Sequence, residues 1–288
     1  MDSLFTDMAP YGWFALTGVF SGFLSGLLGI GGAFIMVPAF LTIFRDYYQF
    51  ESHFMLQLTL GTTMACMIVN AISATTAQNK KQSVEWEVLK RNWLRISLGT
   101  FLGVVLTHFF SANLIKFCFA LVCLDGGFKM IFRKQGPVVA TEPNHAKPVI
   151  FFFAAVCGFI GVGGANLFVP YLMKVKGISL TKAMGTASAL QIPISIIGTI
   201  SYLVLGLLPP VSSAIAMDGA VAQRLASGHG IVGYVFWPAM LLVSAVGVCF
   251  NTWGVSMAHK LPVAKLKKCF GCFTLLVGMR MAYGVYSS

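Results

Sequence analysis

Charge is scarce in this chain. Asp, Glu, Lys and Arg together make up 10% of its 288 residues, against roughly 25% in soluble domains. With 57% apolar residues and a mean hydropathy of +0.80, water is excluded as the main solvent. Two-residue alternation is missing as well, which excludes a barrel of the outer-membrane type. What remains is a series of long apolar stretches, and about 20 such residues suffice for a helix to cross a bilayer. The chain reads as an all-α polytopic membrane protein.

The first ten residues lack Lys and Arg and contain Asp2 and Asp7. A cleavable leader begins with positive charge, so the stretch from Tyr11 is expected to be a retained span. Seven cysteines lie in or beside apolar stretches. An odd number so placed excludes a disulfide framework. Cys269 and Cys272 form a CxxC pair that reads as helix packing, with thiol redox chemistry as the alternative. The net charge of +11 does not point to nucleic acid, because the bases sit in short loops between apolar stretches, where they orient membrane proteins. No cofactor or metal is called for.

What the chain does have is a repeated signature. Residues 26–38 read GLLGIGGAFIMVP and residues 158–170 read GFIGVGGANLFVP, identical at seven of thirteen positions. Leu60-Gly61-Thr62-Thr63 is answered by Met184-Gly185-Thr186-Ala187. Gly103, His108, Cys118, Phe119, Gly127 and Met130 recur as Gly254, His259, Cys269, Phe270, Gly278 and Met281, each 151 residues on. Two repeats therefore span residues 1–135 and 148–288, joined by a loop at 136–147.

Charge also decides how the repeats cross the membrane. If the eight apolar stretches crossed once each, Lys and Arg would divide 11 against 9. If stretches 11–44 and 148–173 reverse at their glycines, giving about five passes per repeat, the division is 16 against 4. Lys and Arg collect on the cytoplasmic side, so the second arrangement is preferred. An odd number of passes makes the repeats inverted copies, a common transporter plan. Both termini then face outward from the cytoplasmic membrane.

Gly29, Gly31 and Gly32, with Gly161, Gly163 and Gly164, mark where the first segment of each repeat breaks at a GxGG motif. A short helix is expected to start near Ala33 and near Ala165. Each N-terminus would present unpaired N–H groups and the positive end of a helix dipole to an anion. The neutral groups Thr62, Thr63, Asn166, Thr186, Ser188 and Gln191 complete the expected shell around Gly61 and Gly185. A dinucleotide fingerprint is rejected, since GxGG lacks a preceding strand and the third glycine of GxGxxG. Asp125 reads as the one buried carboxylate and so as the candidate for proton coupling, with pairing to Lys129 as the bland alternative.

At these residues the chain resembles the TauE/SafE family of sulfite exporters, permeases for sulfur-containing anions. The resemblance is carried by the two signatures, by AMGTASALQIPISIIGTISYL at 183–203, by LPP at 208–210 and by GYVFWPAM at 233–240. It implies a secondary transporter for sulfite, organosulfonates or related anions, in some members coupled to a proton or cation. The stretch Val211–Gly230 is longer than the resemblance leads one to expect and reads as an outer lid. A passive anion channel is the remaining alternative, and a homodimer is left open.

Overall fold

The computed structural model describes residues 2–28, 31–48, 52–132, 146–208, 230–258 and 263–286. Ten α-helices lie among them, five on each side of the 133–145 stretch. The first five are α1 (Asp2–Leu28), α2 (Ala33–Ile43), α3 (Ser52–Asn79), α4 (Trp86–Leu106) and α5 (Ala112–Phe132). The second five are α6 (Ala146–Ile160), α7 (Ala165–Lys176), α8 (Leu180–Leu207), α9 (Trp237–Ala258) and α10 (Val263–Tyr286). Helix α2 runs on into a π-helical turn at Phe44–Tyr48. A small antiparallel hairpin, β1 (Ile231–Val232) with β2 (Val235–Phe236), precedes α9.

Helix lengths span a wide range. Helices α3 and α8, of 28 residues each, are about 42 Å long and overspan a hydrocarbon layer of about 30 Å. Helices α2 and α7, of 11 and 12 residues, extend only about 17 Å and reach about halfway. Among the described residues three helices are long and apolar enough to cross a membrane by length and composition: Phe54–Asn79, Leu180–Leu207 and Trp237–Met257. Helix α1 starts at Asp2, well before the apolar stretch that opens at Tyr11, and carries Pro10 inside it. The perimeter is apolar, with Phe20, Phe101, Phe152, Leu241 and Trp253 all more than half exposed. An apolar belt of that extent suits lipid rather than water.

The principal packing pairs are α1 on α9, α4 on α6, α5 on α10 and α3 on α8. Each joins the first five helices to the second five. Glycine makes the approaches close, as small residues do between membrane helices. Gly26 of α1 lies against the main-chain carbonyl of Asn251, and Gly158 of α6 lies against that of Thr100. Gly254 meets the carbonyl of Phe23, and Gly103 meets that of Ala155. On α5 and α10, Gly127 faces Leu275 and Gly278 faces Leu124. The members of each pair of contacts are related by the spacings that relate the repeated motifs. Helices α3 and α8 form the centre, where Thr62, Thr63, Thr186 and Gln191 are buried.

Candidate functional site

The residue that caps each half-length helix is a glycine in the left-handed region, Gly32 at φ 70° and Gly164 at φ 75°. Glycine adopts that conformation freely, whereas other residues are strained there. Having no side chain, neither cap offers an oxygen to the first-turn N–H groups. The cap carbonyls do take part: Gly32 accepts from Ile35 and Met36 at 3.0 and 3.1 Å, and Gly164 accepts from Leu167 and Phe168 at 2.9 Å. Each break thus ends in a helix start with its positive pole uncapped by any side chain.

Both breaks meet one side chain. A Cβ at Gly31 or at Gly163 would overlap the carboxamide of Gln191, on α8. Gln191 is 1% exposed, and its Nε2 has no hydrogen-bond partner among the described residues. A buried donor left so costs roughly 1–3 kcal/mol. The arrangement therefore holds a neutral donor in reserve between two positive helix ends. Helix α3 also reaches the second break, its Leu60 side chain 2.5 Å from where a Cβ of Gly161 would lie. Thr63, three residues on and so on the same helix face, is buried with its hydroxyl unpartnered. Ala33 opens α2 with no exposed surface. In the first turn of α7, Asn166 turns its amide toward Gly126 of α5, and neither end of that amide has a described partner. Gly29 lies outside the described residues.

The glycine–threonine motifs also receive main chain from neighbouring segments. Gly61 lies against the carbonyl of Tyr234, and Thr62 Oγ1 accepts a hydrogen bond from the Phe236 N–H at 3.0 Å. Gly185 lies against the carbonyl of Ser83, and Thr186 Oγ1 accepts from the Glu85 N–H at 3.1 Å. Ser188 donates to the Met184 carbonyl of its own helix at 3.1 Å. Thr62 and Thr186 thus accept from main-chain N–H groups, which uses their acceptor capacity and not their O–H hydrogens, whereas Ser188 gives its hydrogen to its own helix. Sequence reading missed the residues that dock on them. The signal was present, because Ser83 and Glu85 stand the same 151 positions before Tyr234 and Phe236 that relate the other repeated residues.

One expectation is corrected outright. Asp125 is not buried: its side chain is 53% exposed and pairs with Lys129 at 2.5 Å. Helix α5 turns Cys123 and Gly127 toward α10, and a residue two positions from each lies on the opposite face. Cys272 is a free, exposed thiol, while the side chain of Cys269 lies outside the described residues. So do His259 and positions 211–229 of the expected lid. Among the described residues no group of three or more His, Cys, Asp or Glu is placed to hold a metal ion.

Comparison with known proteins gives one consistent result. A family model described as "Sulfite exporter TauE/SafE" matches residues 14–281. A "Probable membrane transporter protein" of Haemophilus influenzae is 25% identical over 269 residues, covering 92% of this chain and 96% of that protein. Another of that description, from Methanocaldococcus jannaschii, is 20% identical over 270 residues, covering 92% and 93%. A third, from Xylella fastidiosa, is 25% identical and covers 82% and 94%. No solved structure matches significantly.

Proposed function

The chain belongs to the TauE/SafE sulfite exporter family, and on that footing we propose that it moves sulfite, an organosulfonate or a related small anion across the cytoplasmic membrane by alternating access. It is a membrane transporter and not an enzyme. The observation that carries the finer reading is Gln191, buried and unpartnered at the point where the two glycine breaks converge. An anion there would accept hydrogen bonds from the Gln191 carboxamide and from main-chain N–H groups of α2 and α7. Thr63 and Asn166 would complete the shell. Every one of these donors is neutral. A buried Lys or Arg would hold an oxyanion more tightly, and a carrier must release its load.

In this reading the halves, residues 1–135 and 148–288, are inverted copies related through the centre of the bilayer. The matching contacts support it: Gly26 on Asn251 answers Gly158 on Thr100, and Gly254 on Phe23 answers Gly103 on Ala155. The 16-against-4 division of Lys and Arg supports an orientation with residues 80–95 inside and both termini outside. Ser83–Glu85 then closes the inner side by docking on α8, and Tyr234–Phe236 closes the outer side by docking on α3. Releasing one while the other stays docked exposes the breaks to one side at a time. Asp125, exposed and paired, has no part in the proposal.

The test is counterflow in liposomes. Internal unlabelled sulfite or organosulfonate should drive accumulation of the labelled anion by the wild-type protein. Gln191→Leu, with normal membrane insertion, should weaken anion binding by about tenfold or more, the worth of one hydrogen bond to a charged group. Unchanged binding in that variant would sink the site, and strictly downhill flux without counterflow would identify a channel instead.

A further inference from the structure

A groove of about 550 Å³ lies away from the breaks, between the second half of α3 and the far end of α9. Val69, Ile72 and Val248 form an apolar wall, and Lys80 and Lys81 lie at its far end. From Val69 to Lys80 is about 16 Å along a helix. Ile72 is 48% exposed, so the groove opens onto the lipid-facing perimeter. Ser73 and Ser256 add hydroxyls, while Thr76 and Thr252 donate theirs to carbonyls of their own helices. Neither lysine pairs with an acidic side chain among the described residues.

The cationic end of the groove has no counterpart in the sequence of the other half. Helix α8 packs on α4 as α3 packs on α9. The spacings of the repeat put Ile197 in the place of Ser73, Ile200 in that of Thr76, Val204 in that of Lys80 and Phe101 in that of Thr252. Ser97 and Ser201 keep hydroxyls at two other places, but both cations are gone. The positive charge is therefore particular to this face and is not a by-product of duplication.

We propose that the groove binds an anionic phospholipid, its phosphate on Lys80 and Lys81 and its acyl chain along Val69, Ile72 and Val248. Cationic pockets between membrane helices recognise lipid headgroups in this way. A small free anion would leave the apolar wall uncovered, whereas a lipid covers both ends. The proposal draws on the orientation above only for which leaflet supplies the lipid, and lipid retention is measured without transport.

Native mass spectrometry of the purified protein, exchanged into equal phosphatidylglycerol and phosphatidylcholine, tests it. Wild type should retain phosphatidylglycerol preferentially. Lys80→Gln with Lys81→Gln should cut that preference by roughly 25-fold, about fivefold for each lysine. Thr252→Phe, which installs the residue of the other half, should lower retention of both lipids by filling the groove. Equal retention of the two lipids by wild type, or an undiminished preference in the double lysine variant, would overturn the proposal. Displacement of phosphatidylglycerol by millimolar inorganic phosphate would overturn it too, by making this a soluble-anion site.

Discussion

Ser83–Glu85 and Tyr234–Phe236 dock through the same two contacts, a carbonyl laid against glycine and an N–H given to a threonine hydroxyl. What surrounds those contacts differs. Beside the first, the Glu85 carboxylate pairs with Lys182 at 2.9 Å, both side chains more than a third exposed. At the second, Phe236 is buried and its ring lies 5.4 to 6.0 Å from those of Tyr48, Phe44 and Phe14. An exposed ion pair contributes about 0–1 kcal/mol and weakens in salt. A buried aromatic cluster contributes several times more and does not. The shared main-chain contact is what the fold requires, and the side chains around it set how firmly each segment is held.

Substitutions should rank accordingly. Phe236→Ala is expected to lower stability by about 3–5 kcal/mol, as truncation of a buried aromatic does, read from thermal or denaturant unfolding in detergent. Thr62→Val comes next, at about 1–3 kcal/mol, because it leaves the Phe236 N–H buried without an acceptor. Hydrogen exchange should quicken at Phe236 and not at Glu85. Thr186→Val, the matching change on the other side, should cost about 0.5–1.5 kcal/mol, since the freed Glu85 N–H lies nearer water. Lys182→Gln should cost at most about 1 kcal/mol, and high salt should erase the difference from wild type. If Lys182→Gln proved as damaging as Phe236→Ala, the contrast between the two sides would be lost.

The helical plan was legible because it rests on signals carried by single residues. Glycine pairs mark each break, and α2 and α7 start at the Ala33 and Ala165 that the two signatures put in corresponding places. Gln191 could be placed in the shell, but its seat against both Gly31 and Gly163 could not, since that depends on how α8 crosses two other helices. Thr62 and Thr186 stand out because they recur, yet recurrence does not reveal which main-chain N–H each hydroxyl oxygen accepts from. Their partners lie 174 and 101 residues away. Asp125 was misplaced because apolar neighbours in sequence do not reveal which helix face is turned inward.

The glycine contacts have a consequence for how the protein is made. Each of the closest approaches joins an early helix to a late one, so α1, complete at Leu28, meets its partner only after α9 ends at Ala258. At about 5–20 residues per second of synthesis, that wait is on the order of ten to fifty seconds. Throughout it, the grooved flank of α1 must rest on lipid tails alone. Assembly of this chain is then a matter of interleaving spans already inserted, because the principal packing pairs each need a helix from both halves.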